Sequence, residues 1–498
     1  MAAVAPPFLQ VASPWLRSEA PAQRSPRLAF GSSRRRRCIG GSVSIGLCVS
    51  LRRRARREPD IDTGEKLPID TGIMQLELLD WLNQANLHPD LSKDALAKFG
   101  GVPQQADEVV EKVVQRIQEG ARRCVAPSST VHPFGSTVNG FGEESSDLDV
   151  LVAIKEQELT YFMSYANWGQ RHQRRGTLQD DLDEFDPPKN LTPKAAMCHA
   201  VQQLADYLPE LGFKVLNLIP QARKPLVTLE DMQGPLKEVD ISINNSRNTA
   251  CLGGFCGLGL PLYNSRLLKS YSQLDERVRP LVLLVKVWAK GKRICGAHEG
   301  NLSSYSWTIM VLYFLQLVGL LPSLQLLHEV LNDEKRILST RDYWGNIRDF
   351  DTGFLTVEEY QKAVADKTIA APQTEDSLTV AQLLYGFIRF FATEYDWGTE
   401  VVSMHKPDRK DRGIWFKFFG KNHPEPVIHV EDPIEFRDLN IVMRRERLAQ
   451  MKEEFNHALE MLNTGCSLEE FLNREPRPEV FLVPTRRRRR HRAMPLPT

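Results

Sequence analysis

The sequence predicts an α+β chain, with a mixed or antiparallel sheet and its helices over residues 125–250 and a mainly helical second half. Three observations carry this. Short segments rich in Val, Ile and Leu, bounded by turn residues, recur between 131 and 243. After residue 245 the apolar positions recur at helical spacing in long runs. Between the two strands expected first, a turn of small residues, Gly135-Ser136, leads to two carboxylates two apart, Asp147 and Asp149.

The elements follow in order. Residues 1–57 hold twelve Arg, no Lys and one acidic residue, Glu19. That is the composition of an organelle transit peptide, with a disordered basic arm or a signal anchor as alternatives. Its apolar stretch, 38–51, is fourteen residues long, against the ~20 a membrane helix needs. No other segment is suited to crossing a bilayer, so no stable membrane insertion is expected. Residues 1–60 are therefore set apart as a leader, and 61–124 as N-terminal helices spanning 69–87 and 93–123. In the latter, Val109, Val110, Val113, Val114 and Ile117 recur at helical spacing.

From about Val131 a strand-turn-helix-strand pattern carries Gly135-Ser136 and both Asp. The acidic, Pro-Pro-containing 180–189 reads as a surface insertion. An amphipathic helix over 193–208 precedes strands at 213–219, 225–229 and 237–243. Residues 251–470 read as a helical domain with helices at 278–290, 305–320, 377–393 and 435–462. The Pro- and Arg-rich 471–498 reads as a disordered tail.

At 498 residues the chain has room for two or three cores, and 42% hydrophobic with 26% charged residues is ordinary for a globular protein. The net charge of +1 conceals an asymmetry. Setting aside residues 1–57 and the six Arg of 486–492 leaves 46 basic against 62 acidic residues, near −16. The overall field of such a body repels nucleic acid, so any RNA contact must come from local basic grooves, metal ions or the basic ends. The eight Cys are scattered without a C-x-x-C pair, which reads as unlinked thiols in a reducing compartment.

The chemistry begins with the two Asp. Residues two apart on a strand share a face, so Asp147 and Asp149 point together while Leu148 and Val150 enter a core. Two hard oxygen ligands at that spacing suit Mg²⁺ shared with substrate phosphates, with Mn²⁺ as the alternative ion. The Gly135-Ser136 turn offers backbone N–H groups and a hydroxyl to a triphosphate. Asp240, flanked by Val239 and Ile241 on an apolar strand, is the candidate third carboxylate, because a strand Asp is costly to bury unless paired or metal-bound.

With these elements the chain resembles the poly(A) polymerase / terminal uridylyltransferase family of the DNA polymerase β-like nucleotidyltransferases, from about residue 75 to 460. The resemblance implies a small palm of mixed sheet and helices plus a helical central domain, with the nucleotide between them. It implies that Asp147, Asp149 and Asp240 are the catalytic and metal-binding carboxylates and that Gly135 and Ser136 belong to the nucleotide-binding set. Asn264, in Leu262-Tyr263-Asn264-Ser265-Arg266, matches the residue that contacts the ribose. Lys286 and Lys290, four apart on one helix face, match the pair that holds the triphosphate. Ser304 and Tyr305 match the residues that bind phosphate and stack on the base. Asp432 and Glu435 belong to the central-domain signature. Plainer readings stand beside these: a solvated face for the two Lys, a core aromatic for Tyr305, and helix-capping acids at a helix starting from Pro433.

The implied activity is template-independent addition of nucleotides to RNA 3′ ends by two-metal catalysis, with an inactive scaffold or a small-molecule nucleotidyltransferase as rivals. Where uridylyltransferases of the family often carry a uracil-reading His, this chain has Asp438. An ionised carboxylate accepts hydrogen bonds only, which suits the amino group of adenine or cytosine and repels the O4 of uracil. ATP is expected over UTP for that reason. Residues 405–423 interleave six Lys or Arg with Trp415, Phe416, Phe418 and Phe419, which reads as a strand pair or a single-strand RNA path. A separate RNA-targeting protein is an expected partner. The compartment is a mitochondrion or plastid if the leader is a transit peptide, and otherwise cytoplasm or nucleus.

Overall fold

The computed structural model describes residues 74–101, 106–143, 146–154, 158, 193–222, 225–234, 236, 238–243, 259–332, 335–341, 347–370, 378–397, 399–407, 409, 428–440, 443 and 445–473. The leader, the 180–189 insertion, Cys251 and Cys256, the aromatic part of 405–423 and the Arg-rich tail lie outside them. Among the described residues no helix is long and apolar enough to cross a membrane.

A five-stranded sheet is built from β1 (Thr130–Phe134), β2 (Leu148–Ala153), β3 (Phe213–Ile219), β4 (Leu226–Asp231) and β5 (Val239–Ile243), in the order β1-β2-β5-β4-β3. Only β2 and β5 run parallel, so the sheet is mixed, as expected. One face is apolar: Leu148, Val150 and Val152 of β2 and Val239, Ile241 and Ile243 of β5 share a buried cluster with two helices. Those helices, α3 (Ala106–Cys124) and α4 (Pro193–Tyr207), supply Val113, Ile117, Ala200, Val201 and Leu204. Each such Val, Ile or Leu side chain, fully buried, contributes about 1.5–3 kcal/mol. Alternation puts Asp149 and Asp240 on the opposite face.

A second cluster holds the helical half: α1 (Gln75–Leu82), α2 (Leu91–Phe99), and, after α3 and α4 of the sheet layer, α5 (Leu260–Leu274), α6 (Val278–Gly291) and α7 (Ser304–Leu317). It continues through α8 (Leu324–Leu331), α9 (Val357–Ala365), α10 (Val380–Arg389) with a π-turn at Phe390–Glu394, α11 (Arg445–Asn463) and α12 (Leu468–Asn473). From Ser306 to Leu317 α7 is buried on every side, which follows from its nearly unbroken apolar run. Trp288 packs edge-on to Trp307 at 5.8 Å and against Phe455 at 5.3 Å, tying α6, α7 and α11 together. Thr356 and Thr379 close capping boxes with Glu359 and Gln382. Two small strand pairs, β6 (Ile337–Arg341) with β7 (Ile347–Asp351) and β8 (Val401–Val402) with β9 (His429–Val430), interrupt the helices.

Several expectations are corrected. The helix expected over 93–123 is two helices, because Gly100 and Gly101 end the first and Pro103 follows. The 61–124 segment accordingly divides: α1 and α2 join the helical core, and α3 joins the sheet core. After Gly135 the chain makes a run of turns rather than a helix. The helix expected from 435 starts at Arg445. Asp432 and Glu435 therefore cap no helix at Pro433. Residues 433–435 form a turn, and the Asp432 carboxylate accepts from the N–H groups of Ile434 and Glu435 inside it.

Candidate active site

Asp149 and Asp240 are register partners on the parallel strands β2 and β5. Their strand neighbours Leu148, Val150, Val239 and Ile241 are fully buried on the other face. Asp147 lies two residues before Asp149, at the entrance to β2. The Thr137 hydroxyl donates to its carbonyl at 2.8 Å, and Leu148 N–H donates to the Glu238 carbonyl at 3.0 Å. Partial burial raises the Asp147 carboxyl, Glu238 and Asp240 raise it further, and Lys290 opposes them. Asp240 Oδ1 is buried and accepts no hydrogen bond. A buried carboxylate oxygen without a partner is costly, and a divalent cation would satisfy it. The donor set of three carboxylates suits such an ion. No group of three or more His, Cys, Asp or Glu is already gathered at metal-binding distance among the described residues. The carboxylates are aligned by the sheet rather than closed into a cage.

The Gly135-Ser136 turn packs directly on this pair. Gly135 has φ +78°, and a Cβ there would collide with the Asp149 carboxylate, so both backbone and space require glycine. Its N–H donates to Ser265 Oγ at 2.9 Å, and the Ser265 hydroxyl donates to the Pro261 carbonyl at 2.8 Å. Helix α5 thus anchors the turn, and the Gly135 N–H has a protein acceptor. Ser136 is half-buried within the turn.

Helix α6 grips the chain that follows. Arg279, Lys286 and Lys290 lie at i, i+7 and i+11, on one face. Arg279 donates to the carbonyls of Gly140, of Gly142 at 3.1 Å and of Gly101 at 3.2 Å. Lys286 Nζ donates to the Phe141 carbonyl at 2.6 Å. Lys290 Nζ pairs with Glu143 at 2.9 Å. The Phe141 ring between them is buried in the helical core. Burial lowers Lys286 to about 8, with a smaller push from Lys290. The solvated-face reading of this lysine pair is corrected for Lys286, which is only 3% exposed.

A second group forms across α5, α7 and the turn after β9. Asn264, beside Ser265, is buried, with Nδ2 at 3.5 Å from Asp432 and Oδ1 unpartnered. Tyr305 has a buried hydroxyl without a partner, and burial, then Asp432, raises it well above its ordinary value. Asp432 is raised by burial, against the pull of Arg437 at 3.6 Å. Arg437 also pairs with Glu435 at 2.9 Å. Ser304 opens α7, with its hydroxyl 3.4 Å from Cys295 Sγ, while Ser303 caps the helix.

Asp438 is placed differently from its expected base-facing role. Oδ2 lies 2.8 Å from His429 Nδ1, and Oδ1 accepts from Asn440 N–H at 2.8 Å and Val430 N–H at 3.4 Å. These contacts tie the carboxylate to β9 and to the chain that follows it. The sequence reading also missed Ser265, Glu143, Arg279 and His429. Arg279 had a signal, since it sits two turns before Lys286 on the same face. The others are set by contacts between distant segments.

A family model described as "Poly(A) RNA polymerase, mitochondrial-like, central palm domain" matches residues 91–273, which include all five sheet strands. The chain is 26% identical to the poly(A) RNA polymerase GLD2 of Rattus norvegicus over 388 residues, 77% of this chain and 66% of that protein. It is 25% identical to the Homo sapiens GLD2 over 371 residues, 73% of this chain and 63% of that protein. It is 30% identical to the Homo sapiens terminal uridylyltransferase 7 over 330 residues, 66% of this chain but 18% of that protein. The chain thus spans just under two thirds of the GLD2 relatives. In fold it is similar to the Cid1 poly(U) polymerase crystal structure with MgGTP bound, at a TM-score of 0.54 and 22% identity, covering 78% of this chain and 99% of that one.

Proposed function

We propose that the chain is a member of the poly(A) polymerase / terminal uridylyltransferase family, a reading supported by the palm-domain match and the GLD2 and uridylyltransferase relatives, and that it is a template-independent RNA 3′-terminal nucleotidyltransferase that adds AMP from ATP. The observation that carries this is the register of Asp149 with Asp240 beside Gly135, with Asp147 two residues upstream. The preference for ATP draws on the GLD2 relatives, whose similarity covers about three quarters of this chain. The 30% identity with a uridylyltransferase supports UTP as the second reading.

Asp147, Asp149 and Asp240 would hold the divalent metal of this family, here Mg²⁺ with Mn²⁺ as the alternative. Bound there, it would acidify the RNA 3′-hydroxyl and neutralise triphosphate charge. The 3′ oxygen attacks the α-phosphorus, a new P–O bond forms, the α–β anhydride bond breaks and pyrophosphate leaves. The acidified hydroxyl would release its proton to solvent, with the Asp240 carboxylate beside it to assist. Lys290 would screen the phosphates, while Lys286 holds the loop behind them. The unpartnered Asn264 Oδ1 and Tyr305 hydroxyl are placed to meet the nucleoside. Ser136 and Ser304 would meet phosphate. The buried carboxylate of Asp432 orients Asn264, and Glu435 holds Arg437 beside it.

RNA 3′ ends are the proposed acceptor, with a separate protein selecting the RNA. The Lys-free, Arg-rich leader supports an organellar address, which N-terminal sequencing of protein from cells would test.

The experiment is extension of a labelled single-stranded RNA by the full chain, with Mg²⁺ and one nucleotide at a time. Long products with ATP alone are expected. Extension mainly by UTP would replace the ATP reading, and no product from folded protein would overturn the activity.

A further inference from the structure

The cations of α6 meet the loop in an ordered ladder. Arg279 takes the carbonyls of 140 and 142, Lys286 that of 141, and Lys290 the carboxylate of Glu143. The rungs are not equivalent. Arg279 and Lys286 are buried and hold backbone, so a triphosphate could reach them only by breaking the loop. Lys290 has a side chain 48% exposed, and its partner is another side chain. It is the rung that can exchange one anion for another without moving the backbone.

We propose that Glu143 is an affinity-determining residue of the nucleotide site: its carboxylate occupies Lys290 in the empty protein and must yield it to the incoming triphosphate. This rests on the reading of Lys290 as a triphosphate ligand. The geometry favours exchange over a permanent pair. Glu143 N–H donates to Ser146 Oγ at 2.8 Å and its carbonyl accepts from Ser146 N–H at 3.0 Å, so its backbone is held while its side chain can rotate away. Released, that carboxylate stays within reach of the Lys290 position, where its charge disfavours a second anion. Nucleotide binding therefore bears the cost of breaking one partly exposed ion pair, a factor of a few in affinity.

The test measures the dissociation constants of ATP and UTP, each with Mg²⁺ and without RNA, for the full chain by calorimetry. Glu143→Gln is expected to tighten binding about threefold. Glu143→Asp keeps the charge but withdraws it from Lys290 by one methylene, and is expected to tighten binding about twofold. Lys290→Met is expected to weaken it. Unchanged or weaker binding in Glu143→Gln would overturn the proposal. So would tightening in Glu143→Gln with no change in Glu143→Asp, which would mark a simple field effect. Unchanged binding in Lys290→Met would instead overturn the underlying assignment of Lys290.

Discussion

Asp149 and Asp240, ninety-one residues apart in sequence, face each other across the one parallel strand pair of the sheet. Their backbones are fixed by the ladder and by the buried Leu148, Val150, Val239 and Ile241 behind them. The two strand positions are brought together by the core, and the buried, unpartnered Asp240 Oδ1 is a cost that a bound cation would remove. Asp240→Asn should therefore cut nucleotidyl transfer by at least about 10³-fold while raising the metal-free unfolding midpoint slightly. Activity within tenfold of wild type would remove Asp240 from the site.

Gly135→Ala should cost more in activity than in stability. The left-handed backbone alone costs about 1–2 kcal/mol, but the added methyl would also push the Asp149 carboxylate out of line. Extension rates and urea midpoints measured together check this. A rate loss no greater than the loss of folded protein would contradict it.

Arg279→Met leaves the carbonyls of Gly101, Gly140 and Gly142 without their donor. The expected destabilisation is about 3 kcal/mol, with a fall in kcat in the protein that still folds. An unchanged urea midpoint would show that water or another side chain replaces the guanidinium.

The lowered Lys286 has a definite sign. Burial holds it near 8, against its ordinary 10.5, so between those values the folded chain binds fewer protons than the unfolded one. Its contribution to stability then rises with pH across that window. The stability of wild type relative to Lys286→Met should improve from pH 7.5 to pH 9.5. A constant difference would mean that the ammonium titrates as an ordinary lysine.

Asp438→Ala should destabilise the β9 turn by about 1–3 kcal/mol, because His429, Val430 and Asn440 lose their acceptor. The ratio of ATP to UTP incorporation should stay the same. A shift of that ratio toward UTP in the folded variant would restore Asp438 to the base-reading role.

Much of the site was legible in local pattern. Period-two alternation placed Asp149 and Asp240 opposite the apolar faces of their strands, while Asp147, expected on the same strand as Asp149, lies just before it. Helical spacing put Lys286 and Lys290 on one face, and adjacent glycines with a following proline could have marked the break between α2 and α3. These signals are local because strand and helix geometry repeats over two or four residues. Tertiary structure alone decided the partners. Ser265 reaches Gly135 across 130 positions, Lys286 reaches Phe141 across 145, and Lys290 reaches Glu143 across 147. Asp438 meets His429 of β9, nine positions earlier, a contact that only the folded chain reveals. The sequence by itself determined which residues could do the chemistry and on which faces they stand. The packing of two cores determined which atoms find partners, since hydrogen bonding distinguishes the satisfied Asp438 from the unpartnered Asp240 Oδ1.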